Sequence, residues 1–337
     1  MAASNAYTLD PTKLFENGKT PVLVSPGGGN DYYNVGNGAY WRITEDASPV
    51  RYMEVDYWPT TTSNVRPAVR CKIGATVRDL WFAPPTATGA LYTARILLPK
   101  NAKTIELYVP QQSAAAVGGA PTGSYPIRIR TDQPVSFATP SLLARHVVLY
   151  GDSIASGGIG ASPAQFGYGP MLRRGAALDG IDASLTQVSH GYRLLTDDCN
   201  TSGKRTTFAA LLLALSPTEI WLAIGSNDQA VLGGPTLANF TTYYEGLLDE
   251  IHAQSASMLI KCISPIRRST EGANTNGETM AQFRSAISTA VTARSGWSVP
   301  PTYTDGLAMF ADLTLLPDNV HPGTAGNVVM RDALKVI

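Results

Sequence analysis

Hydrophobic and polar residues alternate in the first part of the chain. Residues 51–58, 104–109 and 126–130 alternate with period two, which is typical of half-buried strands in an antiparallel sheet. Proline and glycine clusters at residues 25–29 and 118–121 separate such runs, and no convincing helical pattern interrupts them. This pattern predicts an all-β domain of the sandwich or jelly-roll type.

From about residue 140 the pattern changes to continuous apolar runs, which are expected for strands covered on both faces. The predicted strands lie at residues 146–150, 185–188, 219–224 and 257–263. The predicted helices lie at residues 206–215, 240–253 and 280–292. Strands that alternate with helices predict a parallel sheet with helices on both faces. We therefore expect a β accessory domain over residues 1–140 and an α/β domain over residues 141–337.

The composition excludes some classes of function. With 44% hydrophobic and 15% charged residues, the chain is expected to be globular. Its 26 basic and 26 acidic residues cancel, so the surface does not attract a phosphate backbone at long range and nucleic acid is not an expected partner. The three cysteines are too few and too far apart for a disulfide framework or a metal site.

No targeting or membrane segment is expected. Residues 1–7 contain neither the basic region nor the apolar core of a signal peptide, and no apolar stretch reaches the length of a membrane span. The compartment stays open, because a cytoplasmic protein and an exported protein without its signal look alike in this respect. The oligomeric state is open as well.

A serine follows the first predicted strand of the parallel sheet. Ser153 stands in Tyr150-Gly151-Asp152-Ser153, and ligands of open parallel sheets bind at the carboxyl ends of the strands. Gly151 permits a tight turn, and the N-terminus of a following helix suits a developing oxyanion. Ser153 is therefore a candidate nucleophile. A simple helix N-cap at Asp152 or Ser153 explains the same residues.

Two later segments carry complementary groups. The strand at residues 219–224 leads into Gly225-Ser226-Asn227-Asp228, where the Asn227 amide is a candidate donor to a tetrahedral intermediate. Asp228 is expected to fix the local turn, although these residue types also form ordinary turns. Near the C-terminus, Asp318 and His321 are three residues apart, so one compact turn brings a base and an orienting carboxylate together. The alternative is a surface turn with an incidental histidine.

In order, the three segments resemble the motifs of the SGNH hydrolase superfamily, also called the GDSL esterases and lipases. The resemblance implies a catalytic triad of Ser153, Asp318 and His321. It also implies an oxyanion hole formed by Ser153, Asn227 and a glycine of a further motif, for which Gly191 is the best candidate. The match at Gly191 is loose, since no second glycine follows it closely. The expected fold is a flavodoxin-like three-layer α/β/α sandwich, and no cofactor or metal is expected.

Some members of this superfamily that act on carbohydrate esters carry an N-terminal jelly roll, and this chain is similar in that arrangement. The resemblance implies a serine esterase for short acyl groups, above all acetyl, with a small-molecule or carbohydrate ester as substrate. Two alternatives stay open: a general short-chain or aryl carboxylesterase, and a non-catalytic glycan-binding module.

Two features bear on the substrate without deciding it. The β domain is rich in aromatic residues, of which Trp58 is the best candidate for stacking on a sugar, although such residues also fill β cores. The polar loop at residues 267–278 contains Arg267, Arg268, Asn274 and Asn276, which would suit a polar acyl acceptor. A solvated loop is its default interpretation.

Overall fold

The structure is a computed structural model. It describes residues 5–8, 14–15, 23–24, 32–33, 40–58, 68–74, 76–82, 92–101, 103–108, 125–139, 144–155, 183–189, 193–230 and 234–335. Apart from Val24, the described residues up to 139 form one compact unit and those from 144 form another. Each unit is described separately below.

The first unit consists of antiparallel sheets. Its strands are, in chain order, β1 (Asn5–Thr8), β2 (Leu14–Phe15), β3 (Leu23–Val24), β4 (Tyr32–Tyr33), β5 (Tyr40–Glu45), β6 (Tyr52–Trp58), β7 (Ala68–Ile73), β8 (Thr76–Trp81), β9 (Tyr92–Leu97), β10 (Thr104–Tyr108), β11 (Tyr125–Thr131) and β12 (Val135–Phe137). One sheet has the order β1-β11-β6-β9, and the other has the order β12-β5-β10-β7-β8 with β2 paired to β5. The strand pairs of both sheets are antiparallel.

The two sheets share one hydrophobic core. Met53 and Val55 from β6 belong to the same buried cluster as Ile43 from β5 and Ile105 from β10. Alternate residues of β6 point the other way, and Glu54 there forms a salt bridge with Arg130 from β11. This arrangement confirms the predicted β-sandwich. Among the described residues of this unit there is no helix.

The aromatic residues of the sandwich serve mainly its interior where their side chains are described. Trp41 is completely buried in the shared core. Tyr7 packs edge-on against Phe137, with 5.9 Å between the ring centroids. The side chain of Trp58, the candidate for sugar stacking, lies outside the described part of the structure.

The second unit is built on a parallel sheet. Its strands are β13 (His146–Gly151), β14 (Ser184–Ser189), β15 (Glu219–Ala223), β16 (Leu259–Ile263) and β17 (Thr302–Thr304). Its helices are α1 (Leu195–Cys199), α2 (Ser202–Ala214), α3 (Ser226–Ala230), α4 (Leu237–Gln254), α5 (Met280–Thr292), α6 (Gly306–Met309) and α7 (Thr324–Lys335). The strand order is β14-β13-β15-β16-β17, with all pairs parallel. This is the flavodoxin-like order, and it confirms the predicted α/β fold.

Helices cover both faces of this sheet because successive residues of the central strand point in opposite directions. Val147 and Leu149 of β13 belong to a buried cluster with Met330 and Leu334 of α7. Tyr150, also on β13, contacts Phe208 of α2, with 4.8 Å between the ring centroids. Within the described ranges, no helix is long and apolar enough to cross a membrane.

Candidate active site

The candidate nucleophile lies in a tight turn at the carboxyl end of β13. Gly151 pairs with Ala223 on β15, and a Cβ atom on Gly151 would lie 2.7 Å from the Ala223 carbonyl oxygen. A side chain at this position would therefore displace the turn. Asp152 Oδ1 accepts a hydrogen bond from the N–H of Ile154 at 2.9 Å and so closes the turn that presents Ser153. The helix expected after Ser153 falls on residues outside the described ranges.

The second element of the site is the turn between the 3₁₀ helix at Leu313–Leu315 and α7. Asp318 Oδ1 accepts hydrogen bonds from the backbone N–H groups of Val320, at 3.0 Å, and His321, at 2.7 Å. Asn319 between them has a φ of 70°, a left-handed conformation that asparagine tolerates better than most residues. The other carboxylate oxygen, Oδ2, lies 2.6 Å from His321 Nδ1.

The two turns meet through their side chains. Ser153 Oγ lies 2.9 Å from His321 Nε2, although 168 positions separate the two residues in sequence. Because the Asp318 carboxylate accepts a hydrogen bond from the Nδ1–H of His321, the neutral ring has Nε2 free to accept the serine proton. The structure thus brings Ser153, His321 and Asp318 into one hydrogen-bonded chain. Such a chain can generate an alkoxide nucleophile.

Asp318 has the negative charge that is needed to orient His321. Burial acts to raise the pKa of Asp318, but the hydrogen bonds from the backbone and ring of His321 and from the backbone of Val320 outweigh it. The pKa of this carboxyl therefore lies below its ordinary value. Asp318 is a carboxylate at neutral pH and stabilises the proton on His321 Nδ1.

Of the candidate oxyanion donors, Ser153 and Asn227 lie within the described residues and Gly191 does not. Asn227 lies in the first turn of α3, beyond the carboxyl end of β15, which neighbours β13 in the sheet. Its Nδ2 donates one hydrogen bond to the carbonyl oxygen of Arg193 at 3.1 Å, which fixes the orientation of the amide. Gly225 reaches this turn with a φ of 119°, a conformation that favours glycine. Gly191 lies outside the described residues.

Comparison with known families shows where the α/β unit belongs. Residues 149–329 match the model of the GDSL-like Lipase/Acylhydrolase family, which is more than half of the chain. The chain belongs to this family. It is therefore an ester-hydrolysing enzyme of the GDSL acylhydrolase type, as its sequence motifs indicate. No curated protein sequence matches the chain significantly.

Three solved structures share the fold of this acylhydrolase. A GDSL-like lipase from Bacteroides ovatus aligns with a TM-score of 0.69 at 14% identity, over 98% of this chain and 96% of that chain. A family two carbohydrate esterase from Cellvibrio japonicus aligns with a TM-score of 0.58 at 15% identity, over 98% of this chain and 96% of that chain. A salicylyl-acyltransferase from a tetracycline biosynthetic pathway aligns with a TM-score of 0.62 at 16% identity, over 88% of this chain and 81% of that chain.

A small cavity adjoins the serine turn of the acylhydrolase. Its volume is about 20 Å³, which is room for about one water molecule, and Asp152 and Ile154, the two neighbours of Ser153 in sequence, both contribute to its wall. Most of the remaining wall is apolar and includes Ile224, Ile266 and Met330. Neither Ser153 nor His321 lines this cavity.

The other histidines of the acylhydrolase do not contact this site where they are described. His146 is buried and bonds to Thr186 Oγ1 at 2.7 Å and to the Ser216 carbonyl oxygen at 3.0 Å. His252 stacks on Trp297, with 3.8 Å between the ring centroids. His190 lies outside the described residues. In the same ranges, no cluster of three or more histidine, cysteine or carboxylate side chains could hold a metal ion.

Asp228 corrects one expectation from the sequence. It does not hold its own turn but accepts hydrogen bonds from the backbone N–H groups of Leu195, at 3.1 Å, and Thr196, at 3.3 Å. These groups stand at the start of α1 and have no partner within that helix, so a carboxylate is favourable there. Asp228 therefore ties the α1 segment to the loop that carries Asn227.

Two buried carboxyl groups lie at this edge of the sheet. Burial raises the pKa of Asp228 to about 7, and the negative charge of Asp152 raises it further, against the effect of the N–H groups at α1. Burial raises the pKa of Asp152 to about 6, although the Ile154 N–H and the charges of His321 and Arg268 act to lower it. Both groups bind protons more tightly in the folded protein than in the unfolded chain.

This property predicts how stability depends on pH. A carboxyl group whose pKa is raised by folding stabilises the native state below its unfolded pKa, and this contribution is lost as pH rises through the folded pKa. Between pH 5 and 8, the free energy of unfolding should therefore fall for the wild type more steeply than for Asp228→Asn, by about 1 kcal/mol or more. Urea unfolding at each pH measures both slopes.

A matched control for this experiment is Asp312→Asn, since Asp312 is exposed and also caps a turn. Its slope should equal that of the wild type. Identical slopes for all three proteins would show that Asp228 binds no extra proton in the folded state.

Proposed function

We propose that this acylhydrolase is a serine esterase that cleaves short acyl esters, above all acetyl esters, through an acyl-enzyme on Ser153. The observation that carries the proposal is the continuous chain of contacts from Ser153 Oγ to His321 Nε2, at 2.9 Å, and from His321 Nδ1 to Asp318, at 2.6 Å. A nucleophile, a base and an orienting carboxylate in this order are the groups that acyl transfer to serine needs.

The proposed reaction has two steps. His321 Nε2 takes the proton of Ser153 as Oγ attacks the ester carbonyl carbon, and the oxyanion that forms is bound by the N–H groups of Ser153 and Gly191 and by Asn227. His321 then gives its proton to the leaving alcohol oxygen as the carbon–oxygen bond breaks. In the second step, water loses a proton to His321 and attacks the acyl carbon, and His321 then gives this proton to Ser153 Oγ as the bond between the acyl carbon and Oγ breaks and the acid leaves.

One observation supports a carbohydrate ester as the substrate. The likeness to the carbohydrate esterase from Cellvibrio japonicus extends over 98% of this chain and therefore includes the β-sandwich. We accordingly propose an acetylated carbohydrate as the substrate, with a simple short-chain ester as the alternative that experiment must distinguish.

The proposed triad predicts a graded loss of activity. Ser153→Ala and His321→Ala should each lower kcat for p-nitrophenyl acetate about 10⁴-fold or more, and Asp318→Ala should lower it less, because the Ser–His pair remains. A fluorophosphonate probe should label the wild type and leave Ser153→Ala unlabelled. Asp312→Asn, which alters an exposed aspartate that does not contact His321, should retain full activity. Esterase activity at the wild-type level in folded Ser153→Ala would refute the proposal.

The proposed oxyanion donor predicts a change in kcat rather than in KM. Asn227→Ala should lower kcat about 10²-fold with little change in KM, since the amide is needed most when charge develops on the carbonyl oxygen. The control Asn276→Ala removes an exposed amide from the loop after β16 and should behave as the wild type. A rise in KM at constant kcat would instead assign Asn227 to substrate binding.

The proposed acyl group predicts a dependence on chain length. For p-nitrophenyl acetate, butyrate and octanoate, kcat/KM should fall at least about 10-fold from the shortest to the longest ester, because a site specific for an acetyl group binds a longer chain less well in the transition state. Acetylated xylan should release acetate with the wild type and not with Ser153→Ala. Hydrolysis of the aryl acetate without any release from acetylated xylan or acetylated monosaccharides would favour the alternative without carbohydrate preference.

A further inference from the structure

The loop after β16 contains two adjacent arginines with opposite environments. Arg267 is exposed, whereas Arg268 is only 8% exposed. The sequence favoured a solvated loop here, and for Arg268 this expectation is wrong. The loop is joined to the site by a hydrogen bond, which the Ser269 N–H donates to the carbonyl oxygen of Asn319, at 3.0 Å, in the turn between Asp318 and His321.

The guanidinium of Arg268 is poorly compensated. Of its five N–H groups, only one on Nη2 makes a hydrogen bond within the described part of the chain, to Gln229 Oε1 at 2.7 Å. Its Nε is buried and has no partner among the described residues. The partner that it does have is a neutral amide, so the Arg268 guanidinium forms no direct ion pair with a carboxylate within these residues.

Other buried arginines of the same domain are paired with carboxylates. The Nε of Arg193 lies 2.8 Å from Asp198 Oδ2, and the Nε of Arg294 lies 2.8 Å from Asp249 Oδ1. Arg284 forms an ion pair with Glu271. A buried charge without a counterion is costly, because the interior replaces its hydration poorly. Among the buried arginines of this unit, Arg268 is therefore the one without an ion pair in the described residues, and a bound anion would supply one.

The two carboxylates that act on the charge of Arg268, Glu271 and Asp152, make their hydrogen bonds with groups other than the guanidinium. Both oxygens of Glu271 contact Arg284, at 2.9 Å and 2.5 Å. Asp152 closes the serine turn through the Ile154 N–H. The charge of Arg268 nevertheless acts on Asp152 and lowers its pKa, and Ser269, the next residue after Arg268, is hydrogen-bonded to the turn that carries His321.

Arg268 is also held in a defined position. Gln229 donates from Nε2 to the carbonyl oxygens of Gly272, at 3.1 Å, and Glu278, at 3.0 Å. These two bonds fix which end of the amide is the acceptor, so Oε1 must face Arg268. The guanidinium is thus positioned before any ligand binds, which reduces the entropic cost of binding.

We infer that Arg268 binds a carboxylate of the substrate beside the ester that Ser153 attacks. This inference rests on the proposed esterase function and narrows it to short-chain esters that carry a carboxylate in the acyl or the alcohol part. A guanidinium matches the two oxygens of a carboxylate, and the burial of Arg268 strengthens such a pair. The Nε of Arg268 is buried and one Nη2 N–H donates to Gln229, so this contact would use the N–H groups of Nη1 and the second N–H of Nη2.

Two matched substrate pairs test the inference. For a charge in the alcohol part, the pair is 4-acetoxybenzoate and methyl 4-acetoxybenzoate; for a charge in the acyl part, it is monomethyl succinate and methyl levulinate. The wild type should prefer the charged member of at least one pair in kcat/KM. Arg268→Gln should reduce kcat/KM for that charged member about 10- to 100-fold more than for its neutral partner. Arg268→Lys keeps the positive charge but loses the paired N–H groups of the guanidinium, so its preference for the charged ester should lie between those of the wild type and Arg268→Gln.

The control is Arg267→Gln, which removes the same charge from the exposed neighbouring position and should keep the preference of the wild type. Thermal unfolding of each variant verifies that it is folded. The inference is wrong if the wild type prefers neither charged ester. It is also wrong if folded Arg268→Gln loses both members of a pair equally, since Arg268 would then only position the site.

A binding measurement separates this inference from the proposed function. Calorimetric titration of both charged esters, 4-acetoxybenzoate and monomethyl succinate, into Ser153→Ala, with and without Arg268→Gln, detects the carboxylate contact without turnover. Hydrolysis of neutral esters without Arg268-dependent binding would refute the inference and leave the esterase proposal standing. Arg268-dependent binding by a protein that hydrolyses no ester would refute the esterase proposal and retain the carboxylate site.

Discussion

The parallel pairing of β13 with β15 is the constraint on which the site depends. Gly151 and Ala223 lie opposite each other in the register, and the backbone carbonyl of Ala223 leaves no room for a side chain at position 151. Because parallel strands end at the same edge of a sheet, Ser153 and Asn227 emerge beyond one common boundary. The turn of Asp318 and His321, far from Ser153 in sequence, reaches the same boundary, where His321 contacts Ser153.

Three buried ionisable side chains lie near this edge of the sheet. Asp152, Asp228 and Arg268 are all buried, and each is compensated by backbone or amide groups rather than by a close ion pair. In such surroundings, charges act on one another more strongly than in water. The surroundings of the proposed nucleophile therefore respond to any charge that a substrate brings, which links the proposed chemistry to the inferred substrate class.

Much of the fold was predictable because hydrophobic patterns follow the local period of the backbone. Alternation predicted the sandwich, and the apolar runs predicted the parallel sheet. Element ends were less accurate: α2 begins at Ser202 rather than at the predicted residue 206. Thr201 accepts a hydrogen bond from the N–H of Lys204 and starts the helix earlier, in residues that carry no apolar pattern.

For the site, the sequence by itself determined what lies within a few residues: the serine turn around Gly151 and the pairing of Asp318 with His321. Short spacing fixes such geometry because few backbone bonds separate the groups. Only the tertiary structure decided that His321 contacts Ser153, that Asp228 holds α1 and that Arg268 is buried while Arg267 is exposed. These contacts join distant segments, and they depend on how the helices and loops pack on the sheet, which no local pattern encodes.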